Sequence, residues 1–412
     1  MSQSLSSIEV KGIKVPVIFE KDGHLPITSL QLIVKNSGSI EDDGKPGLAR
    51  FTASMLNEGT KTLGSIGFSS RLDQRAINLS ANSGTETFVY ELSCLKEQFS
   101  YGLSMLKQLL DNPNFTDESF SKVKSQTLGF LSSKENDFDY IANVNLKKLI
   151  YKNRPIEHPF SGDIKSINSL NLNDVKNFYN SHLDLSNLII VVGGDIDENE
   201  FKKMIKPLLE DFKVGKKREL KWFSASGDEK EMIVKKDTEQ AYIYFGAPLF
   251  VKYNDEDAYK FKVASFILGS SGFGSRLMEE VRVKKGLAYS AYARGSITRS
   301  HSSFTGYLQT KTQSLNEAKK LVVKVIDKYI KEGATPDELE QAKKFLLGSE
   351  PLRNETLSQR LNQAFMEYYD GFKLGHSKEI LKKIEKLSLK DLNIFIKKHS
   401  EITKLSFSIV TN

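Results

Sequence analysis

Residues 116–129 read TDESFSKVKSQTLG and residues 335–348 read TPDELEQAKKFLLG. Thr opens both, and Phe120 falls on Leu339, Val123 on Ala342, Leu128 on Leu347 and Gly129 on Gly348. Two further pairs keep the same order: GFSSRL (67–72) with GFGSRL (272–277), and LNDVKNFYNSH (172–182) with LKDLNIFIKKH (389–399). In the last pair Asp174, Phe178 and His182 meet Asp391, Phe395 and His399. One short match carries little weight, but three in a conserved order imply a duplication. The chain therefore reads as two homologous halves, 1–213 and 231–412, joined by the charged segment VGKKRELKWFSASGDEK at 214–230. The first two blocks stand further apart in the second half, which implies a longer hairpin there around RGSITRSHSS (294–303).

Working outward from the repeats, ITSLQLIVKN (27–36) and AINLSANSGTETFVYELS (76–93) show the β-branched alternation of strands. Phe201, Met204, Ile205, Leu208, Leu209 and Phe212 form one apolar helical stripe behind Asp195 or Asp197 as a capping residue. Each half closes on a short apolar strand, NLIIVVGGD in one and LSFSIVTN in the other. The fold class is α+β, with one helix-backed sheet in each half.

Composition narrows the function classes. The 412 residues, 39% hydrophobic and 27% charged, describe a folded globular chain rather than a disordered one. The longest aliphatic run, Leu188–Val192, is far short of the roughly 18–20 residues of a membrane span. The net charge of +7 is spread as Lys-Lys pairs from 147 to 397, without the concentrated basic face of a nucleic-acid binder. One cysteine, Cys94, excludes internal disulfides and Cys-rich metal motifs. The six histidines (24, 158, 182, 301, 376, 399) show no i,i+3 or i,i+4 pairing. The N-terminus MSQSLSSIEVKGIKV lacks the pattern of a secretory signal. As given, the sequence implies a cytoplasmic protein, or a periplasmic or secreted one where a signal has been removed.

The stretch KNSGSIEDDGKPGLARFTASMLNEGT (35–60) resembles the signature segment of the pitrilysin-type metallopeptidases, the inverted zincin group that includes mitochondrial processing peptidase. HPFSGDIKSI from 158, LIIVVGGDID from 188 and TEQAYIYFGAP from 238 resemble family segments in family order, so the likeness covers nearly the whole chain. It implies two α/β-sandwich halves arranged as a clamshell around a chamber, with 214–230 as hinge. In that family Gly-Leu-Ala is followed by H-x-x-E-H on a helix, whose two histidines hold zinc and whose glutamate is the general base. Here the pentad is Arg50, Phe51, Thr52, Ala53, Ser54, and the third ligand, a Glu on a later helix, falls at Phe130. Arg50 is permanently cationic, Ser54 is a poor neutral ligand, and Ala53 and Phe130 carry no donor atom. No metal is expected in this chain. The family's peptide-capturing edge strand corresponds to AINLSANS (76–83), which makes Ser80, Ala81, Asn82 and Ser83 candidate substrate contacts.

The second half keeps what the first has lost. GSSGFGSRLMEEVRVKKGLAYSAYARGS (269–296) resembles the family segment that supplies an Arg and a Tyr, here Arg282 and Tyr289. The spacing predicts a helix over 276–285, Gly286 as its terminator and a strand over 287–293, so the pair flanks a helix-to-strand turn. The resemblance implies that both side chains reach the scissile carbonyl beside a zinc held elsewhere. GSSGFG lacks a following GK[ST] and reads as a short loop rather than a phosphate cradle. Arg276, matched by Arg71, reads as architectural, as do His182 and His399.

The resemblance thus implies an inactive subunit of a heterodimeric zinc peptidase. Arg282 and Tyr289 would serve a homologous partner chain that bears the intact motif and the zinc, and peptides would be the substrates. The alternative is a structural or peptide-binding pseudopeptidase, a homodimer with no catalytic contribution.

Overall fold

The computed structural model describes residues 3–412. The chain folds into two compact units. One takes residues up to Ser132, His158–Leu220 and Arg353–Leu374; the other takes Ser133–Glu157, Lys221–Leu352 and Gly375–Asn412.

The first unit is built on β1 (Ser4–Val10), β2 (Ile13–Lys21), β3 (Ile27–Lys35), β4 (Asn78–Ser83), β5 (Thr87–Leu95) and β6 (Leu188–Gly194). Their order is β1-β2-β6-β3-β5-β4, with β2 and β6 parallel and the other neighbours antiparallel. On one face Val15, Val17, Leu30, Leu32, Ile190 and Val192 join a core completed by helices Leu48–Leu56, Phe99–Asp111 and Glu198–Leu209. The last helix is capped by Asp197, which accepts the Asn199 and Glu200 N–H groups. On the opposite face Ile18, Ile33, Ile189 and Val191 are buried against Leu361, Ala364, Phe365 and Tyr369 of the helix Leu357–Tyr369. All seven residues of β6 are buried, which explains why its sequence is an unbroken apolar run instead of an alternating one. At Gly193 a Cβ would stand 2.8 Å from the Glu20 carbonyl and 3.0 Å from Leu361, so only glycine lets that helix settle there.

Polar contacts fix the helix at both ends. Arg360 donates through Nε to Glu20 (2.6 Å) and through Nη2 to Asp22 (2.6 Å). The Tyr369 hydroxyl donates to Glu86 (2.9 Å).

The second unit repeats the plan with β7 (Phe223–Ser224), β8 (Glu231–Lys235), β9 (Gln240–Pro248), β10 (Ala288–Ile297), β11 (His301–Lys311) and β12 (Ser406–Thr411). The order is β10-β11-β9-β12-β8, with β7 beside β11. The β10–β11 hairpin has the longer strands that the wider repeat spacing predicts. One face of the sheet is covered by the helix Phe138–Ile150, where Phe138 meets Tyr242 edge-on and Leu146 and Ile150 lie over Gly246.

The units differ from the contiguous halves read in the sequence at two places. The Phe138–Ile150 helix comes from the first half and covers the second sheet, while Leu357–Tyr369 comes from the second half and covers the first. The physical reason is the second apolar face of each sheet, which needs a covering helix of its own. The segment 214–230 also differs from a free linker. Arg218 binds the Asp184 carboxylate (2.6 Å), the Asn36 carbonyl (2.9 Å) and the Ser37 hydroxyl (2.7 Å) in the first unit. Phe223 N–H donates to the Ser300 carbonyl (2.7 Å) in the second.

Candidate functional site

The Leu48–Leu56 helix carries the degenerate pentad, and its start is secured from the preceding loop. The buried Asp42 carboxylate accepts Gly47 N–H (2.7 Å) and Ala49 N–H (2.8 Å), satisfying donors that a helix leaves open. Burial pushes the Asp42 carboxyl up to about 7, against the pull of these donors.

Arg50 and Ser54, four residues apart, lie on one side of this helix. The Arg50 Nη1 donates to Asn82 Oδ1 on β4 (3.3 Å), and its guanidinium stands 5.8 Å from the Phe160 ring centre. The Ser54 hydroxyl is turned back to its own helix, donating to the Arg50 carbonyl (3.2 Å). Ala53 is buried, and Phe130 presents a half-exposed ring on the helix Asp117–Ser133. Zinc requires several neutral or anionic N, O or S donors. These positions offer a cation, a hydroxyl bonded elsewhere, a methyl and a phenyl, so the metal does not fit and no hydrolytic step runs through them. Among the described residues no group of three or more His, Cys, Asp or Glu is placed to hold a metal ion.

Of the candidate edge residues, Asn82 is drawn into a polar run. It accepts from Arg50 and donates to Glu91 (3.3 Å), which in turn accepts from Gln31 (2.8 Å). Ala81 is held by a residue that sequence reasoning passed over. Asn57, the C-cap of the Leu48–Leu56 helix, donates to the Ala81 carbonyl (2.9 Å) and accepts from the Ala81 N–H (2.8 Å). In sequence an Asn at the end of a helix signals only termination.

Arg282 and Tyr289 are brought together. The helix begins at Ser275, which caps Met278 N–H, runs as α-helix over Arg276–Met278 and widens to a π-helix over Glu279–Lys284 that carries Arg282. Gly286, at φ +62°, ends it by donating to the Arg282 carbonyl (3.0 Å). β10 then starts with a bulge. Ala288 pairs Thr310 and Ala291 pairs Leu308, so Tyr289 and Ser290 together face Gln309 alone. Bulges re-aim side chains, and Tyr289 is 82% exposed. The Arg282 guanidinium lies 4.4 Å from the Tyr289 ring centre and 4.7 Å from that of Phe273, which is 69% exposed. Among the described residues no carboxylate stands within 4.0 Å of it. With two rings against it and no carboxylate within salt-bridge distance, its N–H groups are left for an acceptor. Phe273 was hidden in GSSGFG, where the glycines dominated the reading.

Arg276 is a structural residue. It grips Glu338 with two bonds (2.6 and 2.7 Å), donates to the Gly333 carbonyl (2.7 Å) and lies over Tyr329. His182 stacks on Phe178 and His399 packs on Phe395, equivalent places in the two repeats.

The model described as "Insulinase (Peptidase family M16)" matches residues 17–163, and that described as "Peptidase M16 inactive domain" matches 169–346. The non-peptidase homolog YmxG of Helicobacter pylori is 42% identical over 411 residues, covering 100% of this chain and 95% of that protein. The chain belongs to peptidase family M16. This is the pitrilysin-type group to which residues 35–60 pointed. A relative from Rickettsia bellii, called an uncharacterized zinc protease, is 25% identical over 315 residues, 74% of this chain and 76% of that one. The fold is also that of the crystal structure of a peptidase M16 inactive domain from Pseudomonas fluorescens, at TM-score 0.90 and 23% identity, covering 100% of this chain and 98% of that one.

Proposed function

We infer that this M16 chain is a noncatalytic subunit. It pairs with a homologous chain carrying an intact H-x-x-E-H motif and zinc, and it supplies Arg282 and Tyr289 to the peptide being cleaved there. The observation that carries the reading is the guanidinium lying against both Phe273 and Tyr289 with no carboxylate partner among the described residues, on a chain whose own metal positions hold Arg50, Ala53, Ser54 and Phe130. In this role Arg282 donates N–H groups, and Tyr289 its O–H, to the scissile carbonyl as its oxygen gains charge. Preorganised donors of this kind are worth about 2.7–4 kcal/mol each in other enzymes. The name given to the Helicobacter relative, a non-peptidase homolog, supports a chain that does not cleave by itself.

The test is reconstitution with an M16 chain that has the intact motif, followed by kinetics on a fluorogenic peptide. Activity should appear only on mixing, and Arg282→Ala or Tyr289→Phe should lower kcat/KM by about 10²–10³. Full activity of both variants in the mixture would refute the complementing role.

A further inference from the structure

The edge of the first sheet ends in a side chain that imitates a strand. Among the described residues β4 has a strand neighbour on one side only, β5. Gly84 N–H donates to the Thr87 carbonyl (3.0 Å), continuing the register in which Ser80 opposes Glu91 and Asn82 opposes Val89. In an antiparallel ladder successive residues turn their N–H and C=O to alternate sides. The even-numbered residues therefore bond β5, while Leu79, Ala81 and Ser83 turn their main-chain groups off the sheet. The outward groups of Ala81, at the centre of this row, are the pair that Asn57 occupies, one bond to the carbonyl and one from the N–H. A primary amide offers the same donor and acceptor as a peptide unit, and one strand pairs with another through such twofold contacts.

We propose that Asn57 is an intramolecular clip that takes the central pairing position of β4. The edge then accepts an extended peptide main chain only when the clip is off. The occupant is a single extended peptide because the group already seated there is an amide presenting a peptide unit's donor and acceptor. The clip is built to open, since Asn57 is exposed and its two neutral hydrogen bonds can be exchanged for those of water or of an incoming strand. It also protects an edge that would otherwise invite pairing with other chains. The clip does not depend on the Arg282–Tyr289 reading, which concerns the other unit.

The experiment compares the full chain with Asn57→Ala and Asn57→Ser, using amide hydrogen exchange resolved at Ala81 and binding of a short peptide of alternating valine and threonine flanked by lysines. The exposed C-cap position, in ordinary helical backbone, lets either variant fold. In both variants Ala81 N–H should exchange about tenfold faster or more, and the peptide should bind at least about tenfold tighter than to the unaltered chain, a change of about 1.4 kcal/mol. The bound peptide should slow exchange at Leu79, Ala81 and Ser83 and leave Ser80 and Asn82 as they were. Unchanged exchange at Ala81, or equal peptide binding or none in all three proteins, would overturn the proposal. Dimerisation of the variants through β4 in sedimentation would overturn it too, by giving the edge to a second copy.

Discussion

The Arg282 guanidinium lies 4.4 Å from the centre of the Tyr289 ring, across a helix end and a strand bulge. The Phe273 ring centre lies 4.7 Å from the same guanidinium. Cation–π contacts at exposed sites contribute about 0.5–1 kcal/mol, so Phe273→Ala should lower kcat/KM of the reconstituted pair about two- to fivefold. The ring is largely exposed, and the melting temperature should stay unchanged. Kinetics beside a thermal melt check this; a large drop in melting temperature would make Phe273 a packing residue.

The spacing of Arg282 and Tyr289 was legible in the sequence; their mutual approach was not. A π-helical turn and a single extra strand residue leave no mark on periodicity, which registers only the faces of regular elements. The same blindness hid the crossing helices. The apolar stripe of Leu361, Ala364 and Phe365 announces that something is covered without saying which sheet. At the degenerate metal site, the poor ligand chemistry of Arg50, Ala53, Ser54 and Phe130 could be read from residue type alone, whereas nothing there pointed to Asn57.

That covering role predicts stability. Glu20 is buried at 1% exposure and sits against the Arg360 cation, with Gln3 donating a further bond (3.0 Å), so Arg360→Ala should cost about 3–5 kcal/mol by leaving a buried carboxylate without its counter-charge. Urea unfolding measures it, and a loss below about 1 kcal/mol would mean that the pair is solvated.

Thr52, in the middle of the Arg50–Ser54 stretch, has a fully buried hydroxyl that finds no hydrogen-bond partner among the described residues. Thr52→Val keeps the shape and removes the unsatisfied group, and it should stabilise the chain by about 1 kcal/mol in the same urea assay. Destabilisation by a similar amount would reveal a bound water there.

Asp42 makes stability depend on pH. With its folded pKa raised from 3.8 to about 7, the native state binds the proton more tightly than the unfolded one. Its contribution is therefore full below about pH 4 and is lost as pH rises to about 7. Carbon-detected NMR titration should place the midpoint near 7, and Asp42→Asn should flatten this part of the stability profile. A midpoint near 4 would show that the helix donors outweigh burial.

Zinc analysis joined to cleavage assays, on this chain alone and mixed with a motif-bearing M16 partner, tests the central claim most directly. The isolated chain should carry no stoichiometric zinc and cleave nothing. The mixture should cleave, and Arg282→Ala should cut that activity about a hundredfold or more. Zinc held stoichiometrically by the isolated chain with metal-dependent cleavage, or a mixture indifferent to Arg282→Ala, would contradict the account.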